Sequence, residues 1–580
     1  MDGNFSLNTP AQELDYCNVP PLGFFAKPDG IYIETETKDG EINEEWLCSP
    51  LTVVALGRNH KSAGWCRQIE LTDPDGHTHQ WIILDHMLSS SFTKVLAELR
   101  GLGLRVATGN SVKRHLSDLI QRWAPQSRYI TTDRLGWSDD NCSAFVLGDK
   151  RIIGKGNVIF LNDTKPEGAP EMKPRGSLNE WRNTVSAPCE GNPILVTSVS
   201  LAFAGPLLEF LGLDGGGLHL RGGSSSGKST ALGIAVSVWG SPKFMHNWRA
   251  TANALEGVAA TCNGSVLALD ELSQITGKDA GDAVYTLANG QGKSRSTSSG
   301  KLQPKARWRV MLLSTGEISL AEKMSEVGAM PMEGQEVRLV DIAADNRRFG
   351  VFDELHEFSD GATFSNRLKQ TTSDTYGTAG PAFVKALLDS AKITPDFLNS
   401  LVKNIASVLK SPNLFASDGK VERVLNRFAL IAAAGELASS FGITGWPKTT
   451  ATIAAKILFT EWVEALEVAE NSEIQAAIER TRAFLNKHKV TRFEETGGTS
   501  IDNKAGYRDA DWFYILGDTW KEIHSGHSPK TQASHLLKNG WLVRGDGNNL
   551  MSKTSSSIPG RPRSYKVRAT ILDVDVAAAA

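Results

Sequence analysis

The sequence predicts an α/β protein built around a largely parallel sheet, with a mixed α+β region before that core, a helical region after it and a small helix-and-strand module at the end. Three observations predict this. The stretch LHLRGGSSSGKSTALGIAVSVWG at residues 218–240 fits G-x-x-x-x-G-K-[ST] between a strand-like and a helix-like run. From about residue 190 to 350, apolar strand-like runs alternate with helical ones, the pattern of a parallel sheet with crossover helices. Residues 380–490 carry helical periodicity throughout. The expected boundaries are 1–190, 191–370, 371–490 and 491–576.

Composition sets the outer bounds. The 580 residues are 41% hydrophobic and 22% charged with a net charge of −3, so any nucleic-acid contact has to come from local basic patches. Six cysteines without a C-x-x-C pair point to a reduced, intracellular protein rather than a disulfide scaffold. The N-terminus has neither the positive start nor the apolar run of a secretory signal. The apolar stretch Ile194–Leu213 contains Pro206 and Glu209, so it reads as a buried helix and no membrane partner is expected.

The elements follow in order. Residues 20–150 read mostly as antiparallel strands, with hairpins around Lys38-Asp39-Gly40 and Asp75-Gly76 and helices near Thr93–Leu102 and Val112–Trp123. His77, His79, His86 and Cys66 lack a metal-ligand spacing and read as solvated hairpin residues. Residues 150–190, rich in Gly, Pro and Asn, read as a linker or surface excursion. The last seventy residues offer a helix at Thr531–Asn539 and then basic strands, the outline of a winged helix. From Lys530 to Arg568 eight Lys/Arg face a single acidic residue, Asp546, which fits a second DNA-binding surface and a protein-interaction module equally.

The core carries the chemistry. Gly222 and Gly227 allow a tight loop, and the backbone from Gly223 through Ser224, Ser225 and Ser226 would surround phosphates at the start of a helix. Lys228 would reach the β- and γ-phosphates, Ser229 would hold Mg²⁺, and Thr230 follows in the same turn. The expected ligands are therefore ATP and Mg²⁺. About forty residues on, GSVLALDELSQ ends an apolar strand in Asp270-Glu271. Asp270 beside the loop can hold Mg²⁺ with Ser229, and Glu271 can polarise an attacking water, which favours hydrolysis over transfer to another substrate. A further strand, Val310–Leu313, ends in Ser314-Thr315. ATPases of the AAA+ type place a polar residue there to sense the γ-phosphate, and either hydroxyl fits that sensor 1 role. GQEVRLVDIAADNRRFG supplies Arg338, with Arg347 and Arg348 as alternatives, for the arginine that a neighbouring subunit inserts into the site.

Residues 293–309, KSRSTSSGKLQPKARWR, hold six basic residues and no acidic one around a Ser/Gly centre. A β-hairpin here would grip backbone phosphates without reading sequence, through Lys293, Arg295 and Lys301.

Taken together, HLRGGSSSGKST, WRATANALEGVAA, VLALDEL, LANGQGKSR, STGE and GQEVRLVDIAAD resemble the helicase-like family known as domain of unknown function 927, found in phage-like and other mobile elements. The resemblance covers most of residues 20–350. It implies an AAA+ fold near the MCM-type hexameric replicative helicases, a helical lid, and a homohexamer that binds single-stranded or forked DNA and unwinds duplex during replication of a mobile element, beside an element-encoded primase, polymerase or initiator. KVERVLNRFALIAAAGELA (Lys420–Ala438) is similar to the MCM lid helix, which implies Arg423, or failing it Arg427, as sensor 2. No zinc ribbon or primase-like carboxylate cluster is present in the sequence. The alternatives are an AAA+ DNA-binding assembly switch and a double-stranded DNA translocase without unwinding; a small-molecule kinase fits least, because nothing resembles an acceptor lid.

Overall fold

A computed structural model describes residues 19–36, 40–154, 156–161, 169–294, 305–410, 419–545, 547, 549–554, 556, 558 and 560–573. The chain forms two compact units, Met1–Thr460 and Glu461–Ala580.

The first unit opens with a three-stranded antiparallel meander, Phe24–Lys27, Gly30–Glu36 and Ile42–Cys48. A five-stranded sheet follows. Leu51–Arg58, Cys66–Thr72 and Thr78–Leu84 pair antiparallel as the alternation predicts. Arg128–Thr132 then pairs parallel to both its neighbours, so this sheet is mixed rather than antiparallel. Two helices, Phe92–Gly101 and Val112–Arg122, contribute Val95, Leu99, Leu116 and Leu119 to a core with Val53, Ile69 and Ile83. The linker reading of 150–190 is corrected in its second half. Residues 178–189 are helical, and Trp181 and Val185 are fully buried, because one large apolar side chain per turn outweighs the flanking Gly and Pro.

The central sheet has five strands: β1 (Gly216–Arg221), β2 (His246–Asn247), β3 (Val266–Asp270), β4 (Met311–Gly316) and β5 (Leu339–Ala343). Their spatial order is β2-β3-β4-β1-β5, and every pairing is parallel. Both faces are covered, so the strands are near-continuously apolar, as VLALD and MLLSTG show. Helices α1 (Pro193–Ala204), α2 (Lys228–Ser237), α3 (Ala252–Thr261), α4 (Gly277–Asn289), α5 (Gly361–Asp374) and α6 (Gly419–Ser440) flank it. All twelve residues of α1 are buried, and α6 packs along it. No helix among the described residues is long and apolar enough to cross a membrane.

The second unit starts within α7 (Thr450–His488). Strands β6 (Phe493–Glu495), β7 (Gly506–Arg508) and β8 (Trp512–Leu516) lead to helix α8 (Gly517–Ile523), a turn at 524–528 and helix α9 (Pro529–Lys538). Strands β9 (Leu542–Val543) and β10 (Ser552–Lys553) both pair antiparallel with β11 (Arg563–Arg568). Phe493, Phe513, Ile515, Trp520, Leu536 and Val567 form this unit's core.

Candidate nucleotide-binding site

Strand register puts the chemistry on one rim. Arg221 lies beside Gly316 and Ala343, and Leu269 beside Ser314, so the loops after β1, β3, β4 and β5 emerge together at the carboxyl edge, where ligands of parallel sheets bind.

The loop Gly222–Gly227 joins β1 to α2. Gly227 has φ +98° and Ser225 φ +60°, the left-handed geometry that turns backbone N–H groups inward. Lys228 opens α2 with its side chain nearly buried, 8% exposed. Its ammonium donates to the carbonyls of Gly222 at 2.8 Å and Gly223 at 2.6 Å, and to Ser226 Oγ at 3.3 Å. Ser229 Oγ lies 3.4 Å from both carboxylate oxygens of Asp270. A hydroxyl and a carboxylate converging at the head of a phosphate loop form the hard oxygen set that suits Mg²⁺. Thr230 hydrogen-bonds Ser365 of α5 at 2.6 Å.

Asp270 is also held by the Thr315 hydroxyl, which donates to it and accepts the Glu271 N–H at 3.3 Å. Glu271 sits at φ +60°, an unusual conformation for a side-chain-bearing residue and one common at functional sites. Ser273 donates to its carboxylate at 2.6 Å. The two sensor candidates part company here. Alternation along β4 turns Ser314 to the other face, where its hydroxyl accepts the Trp248 indole N–H at 2.9 Å and meets His219 Nδ1 at 2.9 Å. Ser314 is 1% exposed, and only Thr315 reaches the carboxylate. Burial holds His219 below the usual histidine range, so it is a neutral ring donating from Nε2 to Ile318 O at 3.0 Å.

Sequence reasoning missed a second layer. Asp345, two residues beyond β5, accepts the Gly223 N–H at 2.6 Å. The turn 347–352 lies against the loop, with Val351 N–H on Ser226 O at 2.9 Å. Gly350 is needed there: it has φ +75°, and a Cβ would stand 2.3 Å from Ser226 O. A cleft of about 480 Å³ opens beside the loop, lined by Phe349, Phe352, Ser365, Asn366 and Lys369 as well as Ser225–Thr230. The only signal of this layer in the sequence is the aromatic-and-glycine cluster in RRFGVF, where the arginines draw the eye first.

The arginines divide between the two ends of the sheet. Arg347 and Arg348 belong to the turn against this same loop, and Arg347 faces Asp353 at 3.8 Å. Arg338 precedes β5, and its carbonyl accepts the N–H of Gly217 near the start of β1, at the amino edge. Its guanidinium donates to Asn289 Oδ1 at 2.8 and 3.1 Å and lies 4.6 Å over the Tyr285 ring. Arg427 stands at the same edge, donating to Gly215 O at 3.2 Å. Burial and the nearby Arg338 charge push it down to about 10, and its Nε is buried without a hydrogen-bond partner among the described residues. Arg423 is exposed and paired with Glu333.

Lys293 is exposed, and its N–H donates to the buried Glu256 at 3.3 Å. Arg295 and Lys301 lie outside the described residues. The flanks of their segment approach antiparallel, Gly292 N–H to Ala306 O and Trp308 N–H to Gly290 O. Arg309 is committed to Glu209 at 3.0 Å.

Loop, carboxylate and strand order are those of an α/β fold with a phosphate loop at its carboxyl rim. Residues 24–307 match the family described as "Domain of unknown function (DUF927)". Among solved structures, "SCCmec type IV Cch - active helicase" is similar in fold, with a TM-score of 0.66 and 18% identity over 95% of this chain and 99% of that one. No curated protein matches.

Proposed function

We propose that the chain is an ATP-dependent DNA helicase of the AAA+, MCM-like type, working as a homohexamer in replication of a mobile element. The observation that carries this reading is Asp270, shared between Ser229 at the head of the phosphate loop and Thr315 on the strand between, with Glu271 beside it. In this reading residues 191–370 form the ATPase core, 371–490 the lid and 491–576 the winged helix.

Bound ATP displaces the Lys228 ammonium from the loop carbonyls onto its β- and γ-phosphates, while loop N–H groups take the remaining oxygens. Ser229 and Asp270 would hold Mg²⁺, which would supply charge neutralisation for the phosphates. Glu271 orients the attacking water and accepts its proton; Thr315 fixes the Asp270 carboxylate and the Glu271 backbone. Phe349 and Phe352 offer apolar surface to the base, and Asn366 and Lys369 offer polar groups to the base and ribose. Arg338 is supplied by the adjacent subunit, with Arg423, or failing it Arg427, as the sensor 2 candidate. Hydrolysis moves the 293–309 segment along one DNA strand, gripped by Lys293, Arg295 and Lys301.

The test is DNA-stimulated ATP hydrolysis and strand displacement by the purified chain. Lys228→Ala and Glu271→Gln should each abolish both, and full unwinding by either variant would falsify the reading. A translocase without unwinding would displace a triplex strand yet leave a fork paired.

A further inference from the structure

The basic tail of the chain is left unused by that reading. In the second unit, α8, the turn 524–528 and α9 form a helix–turn–helix closed by the antiparallel strands β9, β10 and β11. The inner face of α9 is spent on the core through Gln532, Ala533, His535 and Leu536, all buried. Its outer row is Lys530, Thr531, Ser534 and Lys538, spaced along one helical face; Lys530, Thr531 and Lys538 are exposed and Ser534 is half-buried. This row is cationic and rich in small hydrogen-bonding groups, bordered by Leu537, which is half-buried against the core.

A second observation is independent of the helix. Lys553 and Arg563 stand directly opposite each other across the β10–β11 ladder, both exposed. Like charges so placed repel and weaken the pairing. Among the described residues no carboxylate pairs with Lys553, Arg563 or Lys530, whereas Lys538 reaches Glu470 at 2.6 Å. An arrangement that is unfavourable in the free protein becomes favourable when a polyanion lies across it.

We propose that this unit is a duplex-DNA binding site, separate from the single-strand grip of the motor. The second helix of a helix–turn–helix fits the major groove of B-form DNA, which admits one α-helix. Lys530 meets phosphate beside the groove, Thr531 and Ser534 face its floor, and Lys553 with Arg563 hold the flanking backbone. The positive end of α9, capped by Ser528 on the Thr531 N–H, adds to the attraction for phosphate. The site does not depend on ATP chemistry, and the Lys228→Ala chain should bind duplex as well as the native chain does.

The experiment is fluorescence anisotropy with the full-length chain against three probes: a blunt duplex two helical turns long, a thymidine single strand of equal length, and poly-glutamate. The variant combining Lys530→Glu, Lys553→Ala and Arg563→Ala should lose at least tenfold in duplex affinity. Its log–log salt slope should flatten by ~0.9 for each phosphate that is no longer neutralised. Single-strand affinity and basal ATP hydrolysis should be unchanged. The charge-conserving variant Lys530→Arg, Lys553→Arg and Arg563→Lys should bind duplex like the native chain. Undiminished duplex binding by the first variant overturns the proposal. So does an equal loss on single strand, a loss shared by the charge-conserving variant, or poly-glutamate binding that matches duplex and falls with it, the mark of an acidic protein partner.

Discussion

Thr315 donates its hydroxyl to Asp270, and the same oxygen accepts the backbone N–H of Glu271. One side chain thus fixes both acidic residues of the β3 rim. Thr315→Val keeps the shape and removes the bond. Hydrolysis should fall roughly 10- to 1,000-fold, the cost of losing one preorganised hydrogen-bonding group, while nucleotide affinity changes little. Ser314→Ala should behave differently. It strands the Trp248 N–H and the His219 nitrogen in the core, costing about 1–3 kcal/mol of stability. Steady-state ATPase assays beside thermal melts separate the two, and the reverse pattern would exchange their roles.

Arg338 lies at the amino edge of β5, across the sheet from its own phosphate loop. Arg338→Ala should therefore lower ATP hydrolysis without weakening ATP binding to the isolated subunit. Lys228→Ala chains lack a working loop but keep Arg338. Mixing the two inactive variants should recover activity wherever a native Lys228 meets a native Arg338. A mixture as inactive as its components assigns Arg338 to its own subunit.

The cleft beside the loop makes a prediction about nucleotide choice. Lys369→Ala and Phe349→Ala should raise KM for ATP several-fold with kcat nearly intact, because both residues line the cleft and Asp270 does not. Fluorescent-nucleotide titration would detect the change directly. An effect on kcat alone would place the base elsewhere.

The second unit should be sensitive to mild acid. His524, in the turn before α9, is held down to about 4 by burial, with the Arg480 charge as a lesser cause. The folded state therefore favours the neutral ring, and between pH ~6.5 and ~4 the unfolded chain binds the extra proton. The contribution is fully present above about pH 6.5 and is lost as pH falls toward 4, by up to about 3 kcal/mol. The second unit's melting temperature should drop across that window, and His524→Gln should flatten the drop. An identical profile in the variant would put the titration elsewhere.

How much is legible in the sequence depends on chain locality. Asp270 closes an apolar strand and Lys228 opens the helix seven residues beyond one, so strand, turn and charged residue are visible together. Ser314 and Thr315 are adjacent hydroxyls on one strand, and choosing between them requires β3 and β1 on either side to show which face carries Asp270. The cleft cannot be read this way. Phe349, Asn366 and Lys369 reach the loop from more than a hundred residues downstream, brought there by β5 and the start of α5. Trp181 is hidden for another reason: the Gly/Pro-rich stretch before it outweighs a single tryptophan in the composition.

The two rims of the central sheet have a consequence for assembly. In the ring proposed above, a subunit would receive at its carboxyl edge and give from Arg338 at its amino edge; it would have a front and a back, and productive interfaces would be heterologous. A two-fold dimer would join like to like and leave both ATP sites incomplete, whereas a rotation that closes completes every one. Faults in such a ring are directional. A subunit without Lys228 silences its own site, one without Arg338 silences its neighbour's, and the side on which the fault falls reveals the order of the ring.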